Sequence, residues 1–134
     1  MLRKKYRISE KKDFERIYRL GKKVKGQFGM LIGLESKDIL NCEFGIVIGK
    51  KIGKANERNR FKRRLRYIIQ SLLNEGFFET KKFKITYIAF KNPESFKELK
   101  KEVLEQFENL FKNEKHSIKN DSVLQKKLLK TRGV

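Results

Sequence analysis

A chain of 134 residues, 38% of them hydrophobic, suits one domain plus a tail, and Ile, Leu, Val and Phe are spread widely enough along it to exclude wholesale disorder. Thirty-five Lys and Arg face 16 Asp and Glu, a formal charge of +19, and a monomer so charged repels itself unless a polyanion neutralises it, nucleic acid first and an anionic membrane second. The single cysteine (Cys42) excludes an intrachain disulfide, and with a single distant histidine (His116) it excludes a Cys/His zinc site; no apolar run nears the roughly 18 residues of a membrane span and no apolar signal core follows the basic N-terminus, so the expectation is a soluble, cytoplasmic protein with no metal of its own.

Ser9 is placed to cap a helix running to about Leu20, with Gly21 as its stop. Phe14, Ile17 and Tyr18 fall at helical spacing on one face of it. Lys22 to Gly26 is a basic connector. Gln27 to Leu34 reads as a strand, Glu35 to Asn41 as a polar loop and Cys42 to Lys50 as a second strand. These two strands are expected to pair as a hairpin, with Lys22 to Lys25 able to add a short edge. Side chains alternate across a strand, so Phe28, Met30 and Ile32 share one face of the first strand and Gly29, Leu31 and Gly33 the other. In the second strand Ile46 and Ile48 share one face, and Val47, Gly49 and Lys51 the other. The bulky face is expected to pack on a helix. The small face either forms a shallow trough or merely marks bulges and close helix packing.

Ile52 to Ala55 makes a tight connection into a helix from about Asn56 to Asn74, stopped by Gly76 and striped by Phe61, Leu65, Ile68, Ile69 and Leu72. Phe83 to Lys91 alternates and carries Ile, Thr, Tyr and Phe, so it reads as a strand, broken by Pro93. Ser95 and Glu98 have capping-box spacing and start the last helix, whose stripe is Phe96, Leu99, Val103, Phe107 and Leu110. From Asn113 to Val134 the chain is polar and lysine-rich, with weak periodicity around Leu124, Leu128 and Leu129; it is expected to be a flexible, frayed tail or a short helix seated only on a partner. The order predicts a single-domain α/β (α+β) sandwich, α-β-β-β-α-β-α, with a mixed four-stranded sheet and three helices over residues 1–112 and a basic tail over 113–134.

The chemistry is concentrated in residues 50–66, where nine of 17 positions are Lys or Arg and only Glu57 is acidic. At about 100° per residue, Lys62, Arg63 and Arg66 flank one side of the apolar stripe, Arg60 and Arg64 project away from it, and Arg58 sits at its edge in the first turn. Guanidinium forks match phosphate bidentately, and a helix starting beside Gly53 offers backbone N–H groups to a phosphate. A merely solvated basic face is disfavoured. Cations in a first helical turn oppose the helix dipole, and Arg58 with Lys62, Arg60 with Arg64, and Lys62 with Arg66 repel at i,i+4. A polyanionic partner turns that cost into binding energy.

Arg58-Asn59-Arg60, followed by Lys62-Arg63 and Arg66 and preceded by Lys50-Lys51-Ile52-Gly53-Lys54-Ala55, resembles the RNR motif of the bacterial ribonuclease P protein family. Arg7-Ile8, Asp13-Phe14 and Gly21 match that family's first-helix pattern, Phe28 the start of its central strand, Gly45 the strand leading into the motif, and Ala89 and Lys91 before Pro93 its last strand. The resemblance covers about residues 3–112; the tail beyond Lys112 has no clear counterpart. Two positions depart from the pattern: Phe90 stands where the family usually has arginine, and Leu31 where some members carry a cleft-side aromatic.

The resemblance implies a ribonucleoprotein in which the RNA subunit hydrolyses the phosphodiester with magnesium, and the protein supplies no catalytic residue and holds no metal tightly. It implies an RNA-subunit surface of Lys54, Arg58, Asn59, Arg60, Lys62, Arg63 and Arg66. It also implies a cleft between the first helix and the sheet that takes the single-stranded 5′ leader of precursor tRNA. The small strand face would floor that cleft with Leu31, Val47 and Gly49, and Lys51, at the end of the floor strand, would meet leader phosphate. Phe14 and Tyr18 would form its aromatic wall, since aromatic faces stack unpaired bases of any sequence; from the residues alone, ordinary core is an equal reading of both. The partners so implied are the RNA subunit and the leader, with no membrane and no obligate protein partner. A two-metal nuclease needs converging carboxylates, whereas Asp13, Asp38 and Asp121 lie in separate elements, so the protein's role would be positional, holding the leader and screening charge. Two other classes share the charge: a ribosomal or other structural RNA-binding protein, which needs no leader cleft, and an architectural DNA binder, for which no helix-turn-helix or zinc-finger pattern is present.

Overall fold

In the computed structural model, residues 2–116 are described, with side chains as far as Lys112. The elements are α1 (Lys11–Leu20), β1 (Lys22–Lys25), β2 (Gly29–Glu35), β3 (Glu43–Val47), α2 (Ala55–Asn74), β4 (Phe83–Ala89) and α3 (Phe96–His116), with short 3-10 turns at Lys4–Tyr6 and Lys50–Ile52. This is the expected α+β order, with β1 present as the short edge. The predicted tail around Leu124, Leu128 and Leu129 lies outside the described residues.

The sheet is mixed, in the order β1-β2-β4-β3. β1 and β2 form an antiparallel hairpin closed by the Gly26 N–H donating to the Gly29 carbonyl at 2.8 Å. The predicted hairpin between β2 and β3 does not form. β4 lies between them, antiparallel to β2 and parallel to β3. The polar loop after β2 passes the start of β4, where the Ser36 N–H donates to the Lys82 carbonyl at 2.8 Å, and it spans two strand spacings, about 10 Å, to reach β3.

Helices cover both faces. α2 and α3 pack on one, where Phe61, Leu65, Ile68, Ile69 and Leu72 of α2 and Leu99, Val103, Phe107 and Leu110 of α3 meet Leu31, Phe44, Phe83, Ile85, Tyr87 and Ala89 from the sheet. α1 alone covers the other, where Ile17 meets Ile8, Met30 and Ile32, with Phe14, Leu34 and Ile88 against them. The stripes read from the sequence for α2 and α3 are therefore the buried ones, with Phe96 half-buried at the rim; of Phe14, Ile17 and Tyr18 on α1, only Ile17 is fully buried.

The strand faces require correction. Met30 and Ile32 face α1, whereas Ile46 and Ile48 pack on the α2–α3 side, so the two bulky rows do not share a face. The small row of β2 is no trough: a Cβ on Gly29 would run into the Tyr87 ring and one on Gly33 into Leu110, and Leu31 between them is 1% exposed. Close packing is what these glycines serve. Smaller adjustments follow from local bonding. Glu10, not Ser9, sits at the N-cap of α1 and makes no side-chain cap bond. β4 ends at Ala89 because the N–H groups of Phe90 and Lys91 converge on the single carbonyl of Phe28. Ser95 does cap α3, accepting from the Glu98 N–H at 3.2 Å.

A buried Leu31 has a measurable consequence. Leu31→Ala is expected to lower unfolding free energy by about 2–5 kcal/mol, the range for a leucine deleted from a packed core, whereas a surface substitution stays within about 0.5 kcal/mol. Urea denaturation of the two proteins checks it, and a midpoint equal to the parent's would return Leu31 to an exposed face.

Candidate nucleic-acid interface

The chain leaves β3 through the Lys50–Ile52 turn directly into the basic helix. Ile52 is buried and anchors this connection. Gly53 has φ +154°, and a Cβ there would run into the Glu57 carboxylate, so the position requires glycine. Glu57, the one acid of the segment, accepts from the Lys54 N–H at 2.8 Å, and the Glu57 N–H is held by Asn56 Oδ1 at 3.0 Å. Some of the donors expected to face a phosphate at this helix start are thus used within the turn.

Of the predicted RNA-facing set, Lys54, Asn59, Arg60 and Arg63 are exposed, and Arg58, Lys62 and Arg66 are half-buried. Arg64, expected to project away, is also half-buried because it lies one turn before buried Ile68. Arg58 has a second role: its Nε donates to the Gly53 carbonyl at 3.2 Å and ties the helix to the turn before it. Among the described residues the ion pairs are Lys12–Glu10 at 3.5 Å and Lys84–Asp13 at 3.1 Å, and neither uses a cation of α2. Among the described residues, the helix therefore carries its arginines without acid partners.

A second surface lies on the α1 side of the sheet. Phe14 is half-buried, and its ring sits over Gly45 of β3 so closely that a Cβ on Gly45 would overlap it. Tyr18, one turn on, is 53% exposed. Lys23 of β1 lies over the Tyr18 ring, its Nζ 4.8 Å from the centroid, and donates to the Tyr18 carbonyl at 2.6 Å. Phe14, Glu15, Tyr18, Arg19 and Lys23 line an open groove of about 580 Å³. Val47, two residues beyond Gly45 on the same strand face, is 41% exposed.

Three predicted cleft residues are placed differently. Leu31 points to the opposite side of the sheet, into the α2–α3 core. Gly49 is exposed and extended past the end of β3, and Lys51 is exposed in the 3-10 turn rather than on a strand. The sheet face beneath α1 is built instead from Met30 and Ile32 of β2, Thr86 and Ile88 of β4, and Gly45 and Val47 of β3. Lys23 and the Lys84–Asp13 pair that ties α1 to β4 went unread. That Lys23 and Lys84 both lie on the face covered by α1 becomes visible only once the strand order is known.

The family model described as Ribonuclease P matches residues 2–124, extending past Lys112. The ribonuclease P protein component of Staphylococcus carnosus is 38% identical over 65 residues, 48% of this chain and 56% of that protein, so the aligned segment spans little more than half of the relative's length. That of Syntrophomonas wolfei is 39% identical over 70 residues, 52% of this chain and 58% of that protein. The solved RNase P protein of Staphylococcus aureus superposes with a TM-score of 0.66 at 26% identity, covering 82% of this chain and 95% of that one. The RNase P protein of Thermotoga maritima gives 0.66 at 25% identity, covering 77% and 96%.

The unequal roles of the α2 arginines can be separated by stability. Arg58→Ala is expected to cost about 0.5–1.5 kcal/mol through its lost bond to the Gly53 carbonyl. Arg60→Ala and Arg63→Ala should stay within about 0.5 kcal/mol of the parent. Thermal unfolding monitored by circular dichroism distinguishes the two classes, and a loss at Arg63 as large as at Arg58 would contradict the solvent-facing assignment.

Proposed function

The chain belongs to the ribonuclease P protein family, and on that premise we propose that it is the protein subunit of a ribonucleoprotein that removes the 5′ leader from precursor tRNA. The observation that carries this reading is the uncompensated arginine face of α2, set at the end of a strand whose other exposed face adjoins an aromatic groove. The α2 cations Lys54, Arg58, Arg60, Lys62, Arg63 and Arg66, with Asn59, hold the RNA subunit. Phe14 and Tyr18 stack unpaired leader bases, Val47 and Gly49 continue that surface, and Lys51 and Lys23 meet leader phosphate. Leu31 has no part in it.

Hydrolysis is assigned to the RNA, with magnesium bound there. Among the described residues no three His, Cys, Asp or Glu side chains gather where a metal ion could sit, and no helix is long and apolar enough to cross a membrane. The protein's contribution is to place the leader and to reduce repulsion between two polyanions, which magnesium must otherwise screen. The buried, single Cys42 suits the reducing cytoplasm proposed as its compartment.

Reconstitution with a bacterial ribonuclease P RNA tests the reading. The protein should lower the magnesium concentration needed for single-turnover cleavage of precursor tRNA, and the protein alone should cleave nothing at any magnesium concentration. Specific 5′ maturation by the protein alone, surviving treatment that destroys RNA, would make it a nuclease; an unchanged magnesium midpoint would remove the charge-screening role.

The groove makes its own prediction. Tyr18→Ala and Phe14→Ala should each weaken precursor-tRNA binding to the holoenzyme by roughly 1–3 kcal/mol, the worth of one base stack. Binding of mature tRNA, which has no leader, should barely change. Tyr18 is the cleaner probe because it is exposed, and equal losses for both ligands in a folded Tyr18→Ala protein would remove the groove from leader binding.

A further inference from the structure

Resting on the reading of α2 as the RNA-subunit helix, we propose that Tyr67 is a stacking platform for an unpaired base of that RNA, held rigid by Phe96. Tyr67 is 60% exposed, unusual for a ring of its size on a helix whose apolar stripe is otherwise buried. Its ring is not loose. It meets Phe96, at the start of α3, edge to face at a centroid distance of 5.6 Å, and Phe96 in turn packs on the main core. A ring already fixed by its neighbour loses little freedom when a ligand covers it, so contact there is efficient.

The surroundings select the ligand. Residues i−3, i−4 and i−7 from Tyr67 share its sector of the helix, and these are Arg64, Arg63 and Arg60. Along the same sector towards the helix C-terminus stand Gln70, Ser71 and Asn74, so no carboxylate lies on it between Arg60 and Asn74. Arg60 to Tyr67 covers two turns, about 10 Å. An aromatic plane at the end of a row of arginines fits a strand whose phosphates lie along the row while a base turns onto the ring, the combination of backbone charge and stacking that single-stranded nucleic acid uses. An apolar protein partner would bury these unpaired cations at a desolvation cost, and a duplex would offer the ring no free base face.

The test uses the full chain and the ribonuclease P RNA encoded in the same genome. Tyr67→Ala is expected to bind that RNA about 5- to 150-fold more weakly, with the slope of log affinity against log salt unchanged, because a stack releases no counterion. Tyr67→Phe should bind within about twofold of the parent, and Tyr67→Ala, although it loses the ring contact with Phe96, should remain folded, with the parent's circular dichroism spectrum. The chain contains no tryptophan, so Tyr67→Trp introduces a single reporter whose fluorescence should be quenched when RNA saturates the protein. Parent-like affinity in Tyr67→Ala, equal weakening in Tyr67→Phe, a flattened salt slope in Tyr67→Ala or an unquenched Trp would each overturn the stack. Arg60→Ala and Arg63→Ala in the same titration keep the two ideas apart: if they weaken binding and flatten the slope while Tyr67→Ala does neither, only the platform fails; if none of them changes affinity, the RNA-subunit surface itself fails.

Discussion

The position of β4 between β2 and β3 is the constraint on which the rest of the molecule depends. Because β4 runs parallel to β3, the chain between them must cross a face of the sheet, and such a crossover needs a dozen or more residues. The crossover is α2, 20 residues long. It starts where β3 ends and must bury one stripe against the sheet, which turns its remaining surface outward. α2 and α3 together then cover one face, leaving α1 alone for the other. A single helix is about 10–12 Å across, narrower than four strands set about 4.8 Å apart. Part of that face therefore stays open, and Tyr18 and Val47 are exposed beside it.

Charge follows from this geometry. A helix with arginines on its outward face, Lys54 at its N-cap and Arg58 in its first turn opposes its own dipole, and no acid on α2 forms an ion pair with them. The sequence invests its local acid elsewhere: Glu57 holds the Lys54 N–H, and Gly53 leaves room for that carboxylate. The first turn is thus secured by backbone bonding rather than by neutralising the arginines, which leaves the charge available to a phosphate backbone. The rest of the fold treats polar groups differently. Glu102 of α3 accepts from the N–H groups of Gln27 and Phe28, at 2.6 and 2.8 Å, and Gln106 donates to the carbonyls of Val24 and Gly29. These four bonds tie the β1–β2 turn to α3, while Gln106 Oε1 is buried without a hydrogen-bond partner among the described residues.

Helices were legible in the sequence almost residue by residue, because their periodicity is local. Phe61, Leu65, Ile68, Ile69 and Leu72 could be named as buried from spacing alone, and the basic segment from composition. Strand alternation was equally visible, but it says only which residues share a face, not which face looks where. That depends on the neighbouring strand, and the neighbour of β2 is β4, some 50 residues further along the chain. Pairing β2 with β3 as a hairpin joined Met30 and Ile32 to the wrong side, and with them Leu31. Phe14 and Tyr18 keep one face of α1 whatever the strand pairing, because helical spacing positions them. Gly45 beneath Phe14 shows why glycine was informative at one strand and misleading at another: in β3 it admits a ring from α1, whereas in β2 glycines admit Tyr87 and Leu110 from the core side.

The two surfaces are also mechanically one. Between Val47, at the open end of the groove, and Lys54, at the start of α2, lie only six residues, and several of them are pinned. The Ile52 N–H donates to the Gly49 carbonyl at 3.1 Å and the Gly53 N–H to the Lys50 carbonyl at 3.2 Å. The Ile52 side chain is buried, and Arg58 closes back onto Gly53. A flexible linker here would let an RNA bound on α2 and a strand bound beside α1 drift relative to each other, and each would have to be ordered separately on binding. A pinned connection removes that entropy before either ligand arrives. For the proposed positional task, this is the property that counts: the pinned β3–α2 connection would hold the two polyanions at one fixed separation, with cations between them.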